Sequence, residues 1–278
     1  MIIGTRTSAL AMAQTMEAKA ALEGTEPDLV LEIKGISTRG DRQQHMSLAS
    51  AGSVGVFTRE VEQALISGQI DLAAHSAKDM PTALPEGLVI GAVLKREDPR
   101  DVWISVVDLD YKAAPAGTVV GSCSLRRQLQ AKDLNPGLLF KDIRGNVETR
   151  LRKLADGGYD SLILAMAGLK RLGLLPGDCE DEGTFSHKGQ TYYYKALPAE
   201  LFMPAAGQGI IALECRAGFR QDLMEKIDHQ DSALALEAER AFLTGIGGGC
   251  NMAAAVRALF EAEGSRRYLV VKGTLYPD

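Results

Sequence analysis

FTREVEQALISGQIDLAAHSAKDMP, residues 57–81, contains the reading on which the fold turns. From Phe57 to Gly68 the apolar positions recur at helical spacing, and Gly68 supplies the stop that a helix end favours. Leu72 to Ser76 (LAAHS) is a short apolar run that reads as a buried strand, and Lys78, Asp79 and Pro81 then force a polar turn. Helix, buried strand and polar turn form half of a βαβ unit, whose parallel strands are covered on both faces. Upstream, the pattern predicts a strand near Ile2 to Gly4, a helix capped by Ser8 and ending about Gly24, and a strand from Leu29 to Ile36.

A second series follows the charged turn Lys95 to Asp101. Strands are predicted at Val102–Val106, Thr118–Gly121, Leu138–Lys141 and Ser161–Ala165, with the clearest helix from Asn146 to Ala155, stopped by Gly157 and Gly158. Leu175 to Leu201 is a polar, aromatic connector with a hairpin near Thr191 to Lys195, and Gly209 to Glu214 is a strand returning to the first series. The expected fold is α/β, with residues 1–94 and 196–214 as a first lobe and 98–190 as a second. Residues 216–278 are expected to form a small α+β C-terminal domain.

Composition narrows the function. The 278-residue chain is 46% hydrophobic and 24% charged, within the globular range, and has no apolar stretch long enough to span a bilayer. Four cysteines without metal-ligand spacing predict neither a zinc site nor a disulfide frame, and a cytoplasmic location is expected. A net charge of −5 and 5% aromatic content argue against a nucleic-acid or membrane partner. Yet Ser122 to Lys153 carries eight basic residues against three acidic ones.

Open α/β sheets bind ligands where strands run into helices. The unusual polar residues cluster at such junctions: Arg6 and Ser8; Ser76, Lys78 and Asp79; Ser122, Ser124, Arg126 and Arg127; Arg144 and Arg150; and Lys170 and Arg171. Singly, each arginine also reads as a surface charge or a helix-end ion pair. Their recurrence predicts a set of guanidinium forks for a polycarboxylate or polyphosphate. Asp79 reads as a carboxylate able to move a proton, or as a helix cap or a partner for Lys78. His75, inside an apolar strand, reads as a packed core residue. Cys250, after the glycines of GIGGGC (Gly245 to Cys250), reads as an accessible thiol or as a buried turn cysteine.

Taken together, TRTSALAMAQ (Thr5–Gln14), STRGD (Ser37–Asp41), HSAKDMP (His75–Pro81), REDPRD (Arg96–Asp101), GSCSLRRQ (Gly121–Gln128), RGNVETRLRKL (Arg144–Leu154), LAMAGLKRLG (Leu164–Gly173), PAAGQG (Pro204–Gly209) and GGGC (Gly247–Cys250) resemble the porphobilinogen deaminase, or hydroxymethylbilane synthase, family. The resemblance implies two lobes like those of a periplasmic binding protein and a third domain carrying a cysteine. It implies a transferase of heme biosynthesis, acting as a monomer on porphobilinogen, without metal, through a dipyrromethane cofactor joined by a thioether to Cys250. It implies that Asp79 holds the pyrrole N–H groups and assists loss of ammonia. Arg6, Ser8, Ser76, Lys78, Ser122, Ser124, Arg126, Arg127, Arg144, Arg150, Gly168 and Arg171 would bind cofactor and substrate, and Phe57 would contact the pyrrole chain. Where the family carries loop lysines, this chain has Ser50 and Val54, and Ala9 and Ala253 stand where prolines are expected.

Overall fold

The computed structural model describes residues 1–38, 58–247 and 253–276. Phe57, Cys250, Ser50, Val54 and most of STRGD lie outside these residues. The described residues fall into two compact units, here called lobes. The first is drawn from Met1–Glu97, Ala206–Cys250 and Val256–Lys272, and the second from Asp98–Ala205, Asn251–Ala255 and Gly273–Asp278.

In chain order the elements are β1 (Ile2–Arg6), α1 (Ala9–Thr25), β2 (Glu32–Ile36), α2 (Arg59–Ile66), β3 (Leu72–Ser76) and β4 (Leu88–Val93). Next come β5 (Asp101–Ser105), β6 (Val119–Gly121), α3 (Leu125–Leu134), β7 (Leu139–Lys141), α4 (Val147–Ala155), β8 (Ser161–Ala165), α5 (Met166–Arg171), β9 (Glu182–His187) and β10 (Gln190–Ala196). The chain continues with β11 (Ile211–Arg216), α6 (Gln221–Ile227) and α7 (Gln230–Gly245), followed by the hairpin of β12 (Ala253–Glu263) and β13 (Arg266–Tyr276).

The first sheet has the order β2-β1-β3-β11-β4. β1 pairs in parallel with β2 and β3, as the βαβ reading requires, whereas β11 runs antiparallel between β3 and β4. Leu72 to His75 are all buried, because β3 is central and covered on both faces. One face packs Ile3, Leu22, Leu72 and Leu213 together; Val61, Leu65 and Ile70 form a cluster with Ala73. Each fully buried leucine or isoleucine contributes roughly 1.5–3 kcal/mol. Leu223 and Met224 of α6 join the first of these clusters, and His229 N donates to Val93 O at 2.9 Å. The core of the first lobe thus continues beyond residue 214, where the sequence reading ended it.

The second sheet has the order β7-β6-β8-β5-β10-β9. β6 is parallel to β7 and β8, while β5 and β10 are antiparallel additions. The period of two is visible in β5: Val102 and Ile104 pack with Leu151 and Leu162, and Trp103 packs with Val120, Ile163 and Phe202. The hairpin expected around Thr191–Lys195 is longer than its sequence signal and turns on Lys188 and Gly189, both at positive φ (51° and 81°). The predicted α/β class with two sheet-centred lobes is the observed one. β4 and β9 had no clear sequence signal.

Candidate active site

Each lobe gathers its candidate residues at one end of its parallel strands. In the first lobe, Arg6 ends β1, Ser8 caps α1 by accepting from Ala11 N at 3.3 Å, and Ser76 ends β3. Gln14 Nε2 donates to Ser76 Oγ at 2.7 Å, tying α1 to the end of β3. A single 3-10 turn, Ala77–Asp79, follows, with Ala77 buried and Lys78 and Asp79 exposed. Lys78 Nζ donates to Gln208 Oε1 at 3.2 Å.

The Asp79 turn rests on the loop PAAGQG. Ala77 N donates to Ile210 O at 3.0 Å, extending the β3–β11 pairing by one rung. Gly207 (φ +68°) lies so close to Ala77 that a Cβ would sit 3.1 Å from its carbonyl carbon, and Gly209 (φ +89°) would drive a Cβ into Glu97 O. Both positions therefore require glycine for conformation and for close approach.

Beneath this loop lies a carboxylate that the sequence reading did not select. Glu239 of α7 is fully buried and accepts from Arg96 Nη1 at 2.6 Å, Arg96 Nη2 at 3.2 Å, Gly207 N at 2.6 Å and Ala258 N at 2.7 Å. Arg96 Nε also donates to Gln208 O at 2.8 Å. Helix, loop and hairpin strand thus meet on one carboxylate at the base of the Asp79 turn. Only Arg96, within the charged turn, hinted at a buried partner.

His75 is a packed residue, 3.0 Å from Glu214 through Nε2 and Oε2. Glu62 of α2, also buried, shares their surroundings. Burial raises the Glu62 carboxyl above its ordinary range, and the Glu214 charge adds to this, against opposing effects from Thr58, His75 and Arg59.

In the second lobe the corresponding edge is formed by the ends of β6, β7 and β8. Ser122 Oγ accepts from Ser124 N at 3.2 Å, and Ser124 caps α3 by accepting from Arg127 N at 3.4 Å. Asn146 caps α4 through Thr149 N at 2.9 Å. Arg150 Nε donates to Gly145 O at 2.8 Å and Lys153 Nζ donates to Arg144 O at 3.0 Å, so both side chains brace the turn after β7. Gly168 is buried within α5, and Arg171 ends that helix half-buried.

Arg126 and Arg127 are buried rather than splayed into solvent. Both bond the carboxylate of Asp101, the first residue of β5, which is completely buried. Burial pushes the Arg126 guanidinium below its usual range, the Arg127 charge does the same, and the Asp101 charge opposes them. An Asp immediately before an apolar strand was the available signal, since a buried carboxylate needs a cationic partner. Nearby, Arg100 holds Asp98 through Nε at 3.0 Å and Nη2 at 2.7 Å. Burial alone would raise the Asp98 carboxyl, but these bonds keep it below its ordinary range. Among the described residues, no group of three or more His, Cys, Asp or Glu side chains could hold a metal ion, and no helix is long and apolar enough to cross a membrane.

Two α/β lobes each present serines and cations at the ends of their parallel strands, the edge at which open α/β sheets bind ligands, and one presents an exposed carboxylate as well. The family described as "Porphobilinogen deaminase, dipyromethane cofactor binding domain" matches residues 1–224. The porphobilinogen deaminase of Syntrophomonas wolfei is 44% identical over 270 residues, covering 96% of this chain and 82% of that protein. That of Roseiflexus sp. is 42% identical, covering 99% and 85%. Among solved structures, the periplasmic VFT2 domain of Bordetella pertussis BvgS aligns with a TM-score of 0.45 at 15% identity, covering 88% of this chain and 91% of that one. The chain belongs to the porphobilinogen deaminase family.

Proposed function

We propose that this chain is a hydroxymethylbilane synthase, a cytoplasmic monomer that condenses four porphobilinogen molecules in turn and releases the linear tetrapyrrole by hydrolysis. The supporting observation is the match of residues 1–224 to the cofactor-binding domain, joined to a rigidly seated Asp79 turn within the matched region. A bound dipyrromethane group would supply the pyrrole terminus onto which the oligomer grows. The donor chemistry fits such a group: its arms are carboxylates, and the arginines and serines lie at the strand ends where anionic ligands are held.

Each addition would break the aminomethyl C–N bond of porphobilinogen and release ammonia, and the proton displaced by the new C–C bond would pass to a carboxylate of this chain. Asp79, exposed in the turn that follows β3, would accept pyrrole N–H bonds and move a proton. Arg6, Ser8, Ser76 and Lys78 in the first lobe would bind acetate and propionate arms. Ser122, Ser124, Arg126, Arg127, Arg144, Arg150, Gly168 and Arg171 would do so in the second. Phe57 would contact the pyrrole chain, and Cys250, in the C-terminal region 216–278, would carry the cofactor by a thioether.

The test is the intact mass of the chain purified from cells, with the adduct located by peptide mapping. The expected result is a dipyrromethane increment on Cys250, a pink reaction with acidic aldehyde reagent, and neither in Cys250→Ser. An unmodified wild-type chain that does not consume porphobilinogen overturns the reading.

A further inference from the structure

The cluster around Asp101 has an unusual charge count. Asp101 Oδ2 accepts from Arg126 Nη2 at 2.7 Å, while Oδ1 accepts from Arg127 Nη2 at 2.7 Å and Nε at 3.1 Å. Arg127 Nη1 donates to Ile163 O at 2.9 Å and Arg126 Nη1 to Met203 O at 2.6 Å, so both guanidinium groups are fixed within the second lobe. Two cations share one carboxylate, and the three groups sum to a single positive charge. They also occupy the first turn of α3, which has no acidic residue there. The helix macrodipole adds its positive end to the same place. A helix N-terminus bearing two buried arginines would be poorly stable without a counter-charge, and Asp101 supplies half of what neutrality needs.

We propose that Asp101 is a positioning residue for ligand recognition: it holds the two arginines in fixed positions, both converging on its carboxylate, and reduces their charge to one, which matches a single carboxylate arm of the bound pyrroles. This rests on the function proposed above. Asp101 touches no ligand in this scheme. Without its charge the two guanidinium groups repel each other, and the fork geometry is lost before any ligand arrives. The requirement is for both charge and length, because a carboxylate one methylene longer keeps the charge but displaces both forks.

The experiment compares wild type, Asp101→Asn and Asp101→Glu as full chains. Far-UV circular dichroism and thermal midpoint report folding, intact mass reports the fraction carrying the dipyrromethane adduct, and steady-state kinetics separate KM from kcat for porphobilinogen. Asp101→Asn is expected to fold, to carry adduct on less than half of the molecules, and to show in the modified fraction a KM raised at least tenfold with kcat changed less than threefold. Asp101→Glu is expected to carry more adduct than the Asn variant while still raising KM several-fold. A folded Asp101→Asn chain with full adduct and wild-type KM overturns the proposal. So does an effect confined to kcat or to thermal stability. If Asp101→Asn does not fold, Asp101→Glu decides: a wild-type KM refutes the positioning role and a raised KM supports it. A wild-type chain lacking both adduct and turnover overturns the proposed function and this inference together, whereas an active wild type with unaffected variants overturns this inference alone.

Discussion

Glu239→Ala removes the carboxylate on which the first lobe closes beneath the Asp79 turn. All four bonds to Glu239 come from donors: two from Arg96 and one each from the backbone of Gly207 and Ala258. Truncation leaves the Arg96 guanidinium without its buried counter-charge and orphans two backbone N–H groups. Breaking a buried pair from one side costs about 3–5 kcal/mol. Glu239→Gln helps less than its shape suggests, because its amide nitrogen must face at least one donor; one such unsatisfied buried donor costs about 1–3 kcal/mol. With a urea dependence near the upper end of the usual range, about 3 kcal/mol per molar, the alanine variant should lose about 1–1.7 M in the unfolding midpoint. The assay is equilibrium urea unfolding of the full chain followed by circular dichroism. Glu237→Ala on the exposed face of α7 serves as a control expected to move by less than about 0.5 kcal/mol. A midpoint for Glu239→Ala within about 0.3 M of wild type, a loss below about 1 kcal/mol, would refute the argument that this carboxylate secures the loop.

Two further outcomes follow from the same structure. Asp79→Asn, at an exposed position, should leave the thermal midpoint and the adduct unchanged while lowering turnover by about 10²–10⁴-fold; near-normal single-turnover rates would remove Asp79 from proton transfer. Glu62 has a carboxyl raised above 4.5, first by burial and then by the Glu214 charge, so the folded chain holds its proton more tightly than the unfolded chain. The native state therefore loses stability as pH rises from about 4.5 through the folded value. Glu62→Gln should melt higher than wild type at pH 7–8, and the gap should shrink as pH falls toward 4. A gap that widens toward acid pH would show the sign to be wrong.

The βαβ alternation, the cap at Ser8 and the glycine stop after α4 could be read from the sequence because they depend on neighbours within a few residues. Grouping Arg126 and Arg127 with Ser122 and Ser124 was equally local, since all four follow β6 in one turn. Strand β4 escaped because LVIGAV has no alternation and contains a glycine. That Gly91 sits where a Cβ would meet Cys215 Sγ and Met224, residues more than 120 positions away, is a fact only the folded chain supplies.

Sequence alone determined the α/β class, the recurrence of cations at strand ends and the family to which those motifs belong, because periodicity and motif order are properties of the chain itself. Tertiary structure decided the partners of the buried charges: Asp101 with Arg126 and Arg127, and Glu239 with Arg96. Such pairings join residues 25 to 143 positions apart. Desolvation makes each of them obligatory once the fold forms, yet nothing local in the sequence states which carboxylate will meet which cation.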